Sequence, residues 1–423
     1  MPRGIVSGLT LLYLLIVSAP ENASPLAVSV ATASASSQPI TSRITIAIPN
    51  GKPTAIKVNQ AANKLYVAEG AQGSLLAFDG ATHQLQATIS ISKSVYPDAL
   101  IIDETYGRAY AASEKSFNSE FGEGSGLIYS INTVSDTLLS TFDPSPLMST
   151  FYYTLAHDKI RHRVYLNGTG GLAYINIASN TMISIPLSGD IQSALFRLDE
   201  MLVNETTNTL YMLQDSYGYE RLWILEINTG VWSYIDFPTL GARDPQHLAI
   251  SETTNKVFVK VIQRPGSNQP GLYMLNRNNG TFAFIGEGDY GPMTVNETSN
   301  RLYTGVEVGS KMAIVEAASN QLTSVSMEGT TTGVGVRYST DHAFLANSNF
   351  IALIDGASHT YLKIPVANSS AGGILVQDVA VHQATGWAYI IPDGRMPQVI
   401  AIQDLPSGPV QWPIYLPLLT RPN

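Results

Sequence analysis

One stretch of the chain, Val58-Asn59-Gln60-Ala61-Ala62-Asn63-Lys64-Leu65-Tyr66-Val67, returns in close form three times: VNETTNTLYM (203–212), ISETTNKVFV (250–259) and VNETSNRLYT (295–304). Weaker copies end at Tyr110, Tyr165, Phe344 and Tyr389, so eight aromatic anchors stand 44, 55, 46, 47, 45, 41 and 45 residues apart. Self-similarity at such a period constrains the fold more than any single residue does. Each unit is one supersecondary piece that cannot bury its apolar face alone, so the copies must pack on one another. In seven copies an apolar residue sits eight positions before the anchor; the copy at Tyr165 reads as holding one extra residue.

After each anchor comes a second recurring pattern, an apolar strand, a polar turn and another apolar strand. Ser74-Leu75-Leu76-Ala77-Phe78-Asp79-Gly80 and Ile351-Ala352-Leu353-Ile354-Asp355-Gly356 show it, as do Leu272–Arg277 and Ala313–Glu316. Asp-Gly at a strand end is a hairpin signal because both residues tolerate positive φ. Each period thus holds four short strands, the content of one propeller blade. No long amphipathic helical pattern interrupts them. The expected fold is all-β, a β-propeller of four-stranded blades, with eight blades from the anchors and seven as the alternative. Arg43-Ile44-Thr45-Ile46-Ala47-Ile48 alternates like a fourth strand yet precedes the first anchor, while the last copy runs out after Val399-Ile400-Ala401-Ile402. Residues 43–48 are therefore expected to complete the final blade and close the ring.

Through Asn63-Lys64-Leu65-Tyr66-Val67-Ala68 and the later Phe78-Asp79-Gly80, the chain resembles the YVTN-type β-propeller repeat family over about residues 41–404. The resemblance implies the propeller fold. It leaves activity open among surface-layer proteins, lactonase-like enzymes and periplasmic proteins.

The ends read differently from the ring. Arg3 followed by the apolar run from Ile5 to Val17, with small-residue patterns at Ala31-Thr32-Ala33 and Ala33-Ser34-Ala35, reads as an export signal over residues 1–35. The run is shorter than the roughly 20 apolar residues a membrane span needs. Residues 405–423 hold five prolines, at 406, 409, 413, 417 and 422, which exclude a helix or a central strand. This Pro-rich tail also carries Trp412 and Tyr415, and its Tyr-Leu-Pro-Leu core resembles the closing tails of some secreted bacterial proteins. An extended tail packed on the domain is the alternative. The expected localisation is secreted or at the cell surface, with no transmembrane span in the mature protein.

Composition narrows the chemistry. Without cysteine there is no thiolate catalysis, disulfide scaffold or Cys-ligated metal. A net charge of −9 argues against electrostatic binding to nucleic acid. No HExxH, GxSxG elbow, phosphate loop or EF-hand occurs, and no cofactor is called for. His157, His247 and His382 fall on or beside expected inner strands, where a channel metal would be conceivable. His83 and His359 occupy equivalent turns and read as solvated.

In a four-strand meander, the turns between first and second and between third and fourth strands share one face. Here they are short and uniform. The opposite face receives the long segments 113–125, 142–153, 214–221 and 261–270. Long variable loops on a rigid scaffold are where binding groups sit. They present Phe117, Phe121, Tyr152, Tyr153, Tyr217, Tyr219, Arg221 and Arg264. Tyrosine and arginine in that setting suit a protein or glycan surface. The leading expectation is a non-enzymatic binding module, probing a protein or glycan at the cell envelope and working as a monomer. A lactonase-like, metal-dependent hydrolase or lyase at the channel mouth and a structural envelope protein are the alternatives. The balance lies against an enzyme, and no catalytic residue is assigned.

Overall fold

The computed structural model describes residues 29–31, 42–49 and 51–404, apart from 71, 94, 96–98, 114–125, 149–153, 169, 188–190, 192–197, 215–219, 238–242, 264–269, 278, 309–310, 328, 348–349, 367–377 and 392–395. The first blade shows why the repeat folds as it does. Its strands Pro53–Asn59, Lys64–Glu69, Ser74–Asp79 and Leu85–Ser90 pair antiparallel in chain order. The second and third strands are buried almost throughout, because neighbouring blades cover both of their faces. This is why they read as unbroken apolar runs rather than alternating ones. The fourth strand lies at the rim and is mostly exposed.

Seven further sheets repeat this order, giving eight blades. Each anchor aromatic sits in the second strand of its blade and is buried. The innermost strands, beginning at Pro53, Leu100, Leu155, Leu198, Arg243, Asp289, Thr331 and Asp378, touch in that order, and the last touches the first. The ring is closed as expected: Ser42–Ala47 pairs antiparallel with Gln398–Gln403 and supplies the outer strand of the eighth blade. A cluster of Ile46, Ile48, Ile56, Val67 and Phe78 with Trp387, Tyr389 and Val399 spans that seam. The apolar core is therefore distributed between blades. A further short strand, Ser29–Ala31, pairs parallel with Gln321–Ser326 at the edge of the sixth blade; it falls within the segment read as an export signal. Among the described residues, no helix is long and apolar enough to cross a membrane.

The turns explain the Asn that precedes each anchor motif. The last residue of every first-to-second turn has positive φ: Asn63, Gly107, His162, Asn208, Asn255, Asn300, Asp341 and Gly386. Asn and Asp tolerate this left-handed conformation better than most side chains, and Gly without penalty. At the other end of the same turn, a buried polar residue caps the backbone. Asn59 Oδ1 accepts from the Ala62 amide at 2.9 Å, Asn204 Oδ1 from Thr207 at 2.9 Å, and Asp158 Oδ1 from Arg161 at 2.9 Å. Asn204 and Asn296 begin N-x-S/T sequons, yet both are fully buried as caps and are unavailable to a glycan.

The copy at Tyr165 needs a correction. Asp158 pairs with Arg163 as Asn59 pairs with Lys64, so the turn has the ordinary length and holds no extra residue. The position usually filled by an apolar residue is instead His157, whose Nε2 lies 3.1 Å from Asp103 Oδ2.

Candidate functional site

The short-turn face is tied together around the ring. The residue after each turn cap is Gln60, Glu104, Lys159, Glu205, Glu252, Glu297, Tyr338 or Gln383. Where this residue is Glu or Gln, its side chain accepts the backbone N–H of the equivalent residue in the preceding blade. Lys159 N donates to Glu205 Oε1 at 2.8 Å, Glu205 N to Glu252 Oε1 at 3.2 Å, and Glu252 N to Glu297 Oε1 at 2.8 Å. Tyr338 N donates to Gln383 Oε1 at 2.9 Å and Gln383 N to Gln60 Oε1 at 2.8 Å, while Gln60 N donates to Glu104. The chain of bonds is interrupted at Lys159 and Tyr338, whose side chains supply no carboxylate or amide oxygen.

Inside this rim lies a cavity of about 300 Å³ whose polar lining is Lys57, His157, Lys159, Glu205 and Glu252. Glu205 and Glu252 already accept amide protons, so the mouth is partly spent on holding the ring. Beneath it Asp103, 2% exposed, receives His157 Nε2 and His162 Nδ1 at 3.1 Å each and the Tyr106 amide at 2.8 Å. Burial pushes this carboxyl up, but these bonds outweigh it and hold the pKa at about 2. An acid this strong stays ionised near neutrality and is poorly poised to exchange protons there. No three His, Asp or Glu side chains converge as a metal set among the described residues.

A second polar cluster joins the seventh and eighth blades. Asp404 takes the His342 Nδ1 at 2.8 Å, the Thr340 hydroxyl at 2.8 Å and the Arg337 guanidinium at 3.2 Å. Burial raises the Asp404 carboxyl, yet these partners hold it below the usual carboxylate range. Burial lowers His342, but its bond to Asp404 wins and its pKa is raised.

The other histidines are placed as follows. His157 does line the channel cavity. His247, on an inner strand, stands 3.7 Å from Glu200. His382 takes a turn-cap position, buried, with the Thr385 amide 3.4 Å from Nδ1. His83 and His359 hold equivalent positive-φ turn positions as expected, but His83 is not solvated. It is 9% exposed, edge-on to Trp387 at 4.7 Å, with Nε2 at 3.3 Å from the Tyr389 hydroxyl, and burial lowers its pKa. Its turn packs against the closing blade, which linear spacing does not show.

Of the loop-face residues, Phe117, Phe121, Tyr152, Tyr153, Tyr217, Tyr219 and Arg264 lie outside the described residues. Arg221 opens the third strand of the fourth blade. Its Nε donates to Asp236 at 2.6 Å and its guanidinium lies over the Tyr234 ring at 4.2 Å and the Trp223 ring at 5.8 Å. Trp223 Nε1 donates to Gln214 at 2.6 Å, which orders the indole beside it. Trp223 and Tyr234, neighbours across the third and fourth strands at 5.1 Å, were not singled out from the sequence. The alternation in Val231-Trp232-Ser233-Tyr234 was the available signal.

No family model matches the chain, and no curated protein does. Solved structures match its fold. The Dos1 propeller aligns with a TM-score of 0.60 at 10% identity, over 85% of this chain and 93% of that one. The WD40 repeats of RRP9 align with a TM-score of 0.51 at 11% identity, over 88% and 99%. Hydrazine synthase of Kuenenia stuttgartiensis aligns with a TM-score of 0.52 at 10% identity, over 85% and 97%. At such identities the likeness is one of fold, and it supports the eight-bladed propeller without showing the YVTN-type family.

Proposed function

We propose that this chain is a rigid, non-enzymatic binding module, secreted or displayed at the cell surface, which holds a protein or glycan partner on its long-loop face. The observation that carries this reading is the difference between the faces. On the short-turn side the turn residues are consumed in blade-to-blade hydrogen bonds. That leaves the non-repeating loops opposite as the surface free to specialise. Arg221, Trp223 and Tyr234 form an ordered patch at the base of one such loop. A closed ring also suits recognition because the scaffold loses little entropy on binding.

The test is co-sedimentation of the purified chain with isolated cell-wall glycan and with envelope proteins, using the wild type and a Tyr217→Ala, Tyr219→Ala double variant. Binding that the double change removes supports the reading. Binding that survives it refutes the loop assignment. A melting temperature lowered by EDTA, together with lactone hydrolysis, would replace it with the enzymatic alternative.

A further inference from the structure

The blades are latched to one another by a device whose acceptor is replaced by glycine at two neighbouring junctions. The first residue of each second strand, usually a cation, and the anchor two residues later reach across to the next blade. Between the first and second blades, Lys64 Nζ and the Tyr66 hydroxyl converge on the Asp136 carboxylate at 2.7 and 2.6 Å. Between the second and third, the Tyr110 hydroxyl meets Asn180 Oδ1 at 3.5 Å; between the fifth and sixth, Lys256 Nζ meets Asn320 Oδ1 at 2.7 Å. Asp136, Asn180 and Asn320 all hold the same positive-φ position of a third-to-fourth turn.

At the junction of the third and fourth blades that position is Gly230. The cation and anchor are present, as Arg163 and Tyr165, but the acceptor is missing. Tyr165 is 1% exposed and its hydroxyl makes no well-formed hydrogen bond. Arg163, a donor, lies beside that hydroxyl and over the Tyr174 ring, 4.5 Å from its centroid. A side chain built at Gly230 would meet nothing within 4 Å. The space it leaves is part of a cavity of about 320 Å³, walled by Tyr174, Ile185, Pro186, Leu225 and Trp232 with Arg163 and Tyr165. The junction of the fourth and fifth blades also has a glycine, Gly280, and its Tyr211 hydroxyl likewise makes no well-formed hydrogen bond. There, however, Thr209 stands in place of the cation, and Arg277 lies over the Tyr211 ring at 5.6 Å and pairs with Glu226 at 3.0 Å.

We propose that the cleft between the third and fourth blades binds a small arylalkanoic acid, its carboxylate standing where Asp136 stands at the first junction and its ring lying between Trp232 and the aliphatic wall. The carboxylate would accept from the Tyr165 hydroxyl and the Arg163 guanidinium, the pairing that Tyr66 and Lys64 make with Asp136. A guanidinium and a phenol together favour a carboxylate over a neutral oxygen. Trp232 and Tyr174 favour an aromatic body, and the volume sits at the low end of small-molecule pockets, about 300–1,000 Å³. This site is separate from the loop face and does not depend on the reading of that face.

The experiment uses phenylpropanoate and indole acetate as probes, followed by calorimetry and by melting temperature. At least one acid is expected to bind and raise the melting temperature. Phenylpropanol, with the same ring and no carboxylate, should bind roughly tenfold more weakly or worse, and Arg163→Gln should weaken the acid to a similar degree. Gly230→Asp should abolish binding by supplying the missing carboxylate internally, and should itself melt higher than the wild type. Absence of binding by both acids, or equal affinity for acid and alcohol, overturns the proposal, as does unchanged affinity in Arg163→Gln or in folded Gly230→Asp.

Discussion

The seam that closes the ring and the junction between the third and fourth blades descend from the same repeat, yet they are held in opposite ways. At the seam the backbone is interrupted, and the contacts are dense. Six residues of the N-terminal strand pair with the last strand, Asp378 Oδ2 accepts the Ile56 amide at 2.8 Å, and Tyr389 reaches Gly80 O at 3.2 Å. Gln60 and Gln383 bond across it in both directions, Gln60 Nε2 to Val381 O and Gln383 N to Gln60 Oε1, each at 2.8 Å. At the third junction the chain runs on continuously, and the anchor's hydroxyl has no acceptor, although Arg161 reaches Asn208 and, at 3.1 Å, Asn228. Covalent continuity permits a cavity where the seam could not afford one. A ring without cysteine has only non-covalent means to stay shut, and at the seam strand pairing and side-chain bonds supply them together.

Removing the seam strand is the largest test of this contrast. A chain beginning at residue 52 loses the pairing and the buried Ile46 and Ile48, each worth about 1.5–3 kcal/mol in transfer alone. Its melting temperature should fall steeply or its cooperative transition vanish; an unchanged denaturation curve would show that the ring closes by other means. Next in size is Asp404→Ala, which strands Arg337, 5% exposed, without its carboxylate. Breaking a buried pair in this way costs about 3–5 kcal/mol, read from urea denaturation.

The same cluster predicts a pH window. The raised His342 contributes stability that is complete below its unfolded value of 6.5 and is lost as pH rises through its folded value. The lowered Asp404 contributes above its unfolded value of 3.8 and is lost as pH falls through its folded value. Their shared contribution is therefore greatest between 3.8 and 6.5. Above 6.5 the melting temperature should fall less steeply with pH in His342→Gln than in the wild type; an identical profile in the two proteins would refute the coupling.

Smaller effects come from the turn ring. Glu297→Ala removes the acceptor of the Glu252 and Thr253 amides and should cost about 1 kcal/mol by urea denaturation. Conversely, Lys159→Gln places an acceptor at one of the two interruptions, opposite the Glu104 amide, and should raise stability by about 0.5 kcal/mol. A loss on this substitution would mean that Lys159 serves the channel mouth rather than merely interrupting the ring.

Much of the architecture was legible without coordinates, and the reason is periodicity. A strand buried on both sides has to be apolar throughout, and a left-handed turn residue is most often Asn, Asp or Gly. Both signals are local, so Asn63-Lys64-Leu65-Tyr66 and its copies displayed blade, anchor and turn together. The alternating strand 43–48 displayed the closure for the same reason. Misreadings arose where one copy departs from the pattern. His157 looked like an insertion because its compensating partner, Asp103, belongs to the preceding blade. His83 looked solvated because the ring that covers it, Trp387, lies at the far end of the chain.

The sequence alone thus determined an all-β ring of repeated blades, its closing strand and its short-turn face. Those are consequences of backbone period and apolar pattern, which each copy states for itself. Only the tertiary structure decided which blade's side chains meet which turn. That decision set Asp103 against two histidines, Asp404 against Arg337 and His342, and Arg163 with Tyr165 against an empty position at Gly230. Each of these depends on the distance between groups on different blades, a quantity that no local pattern encodes.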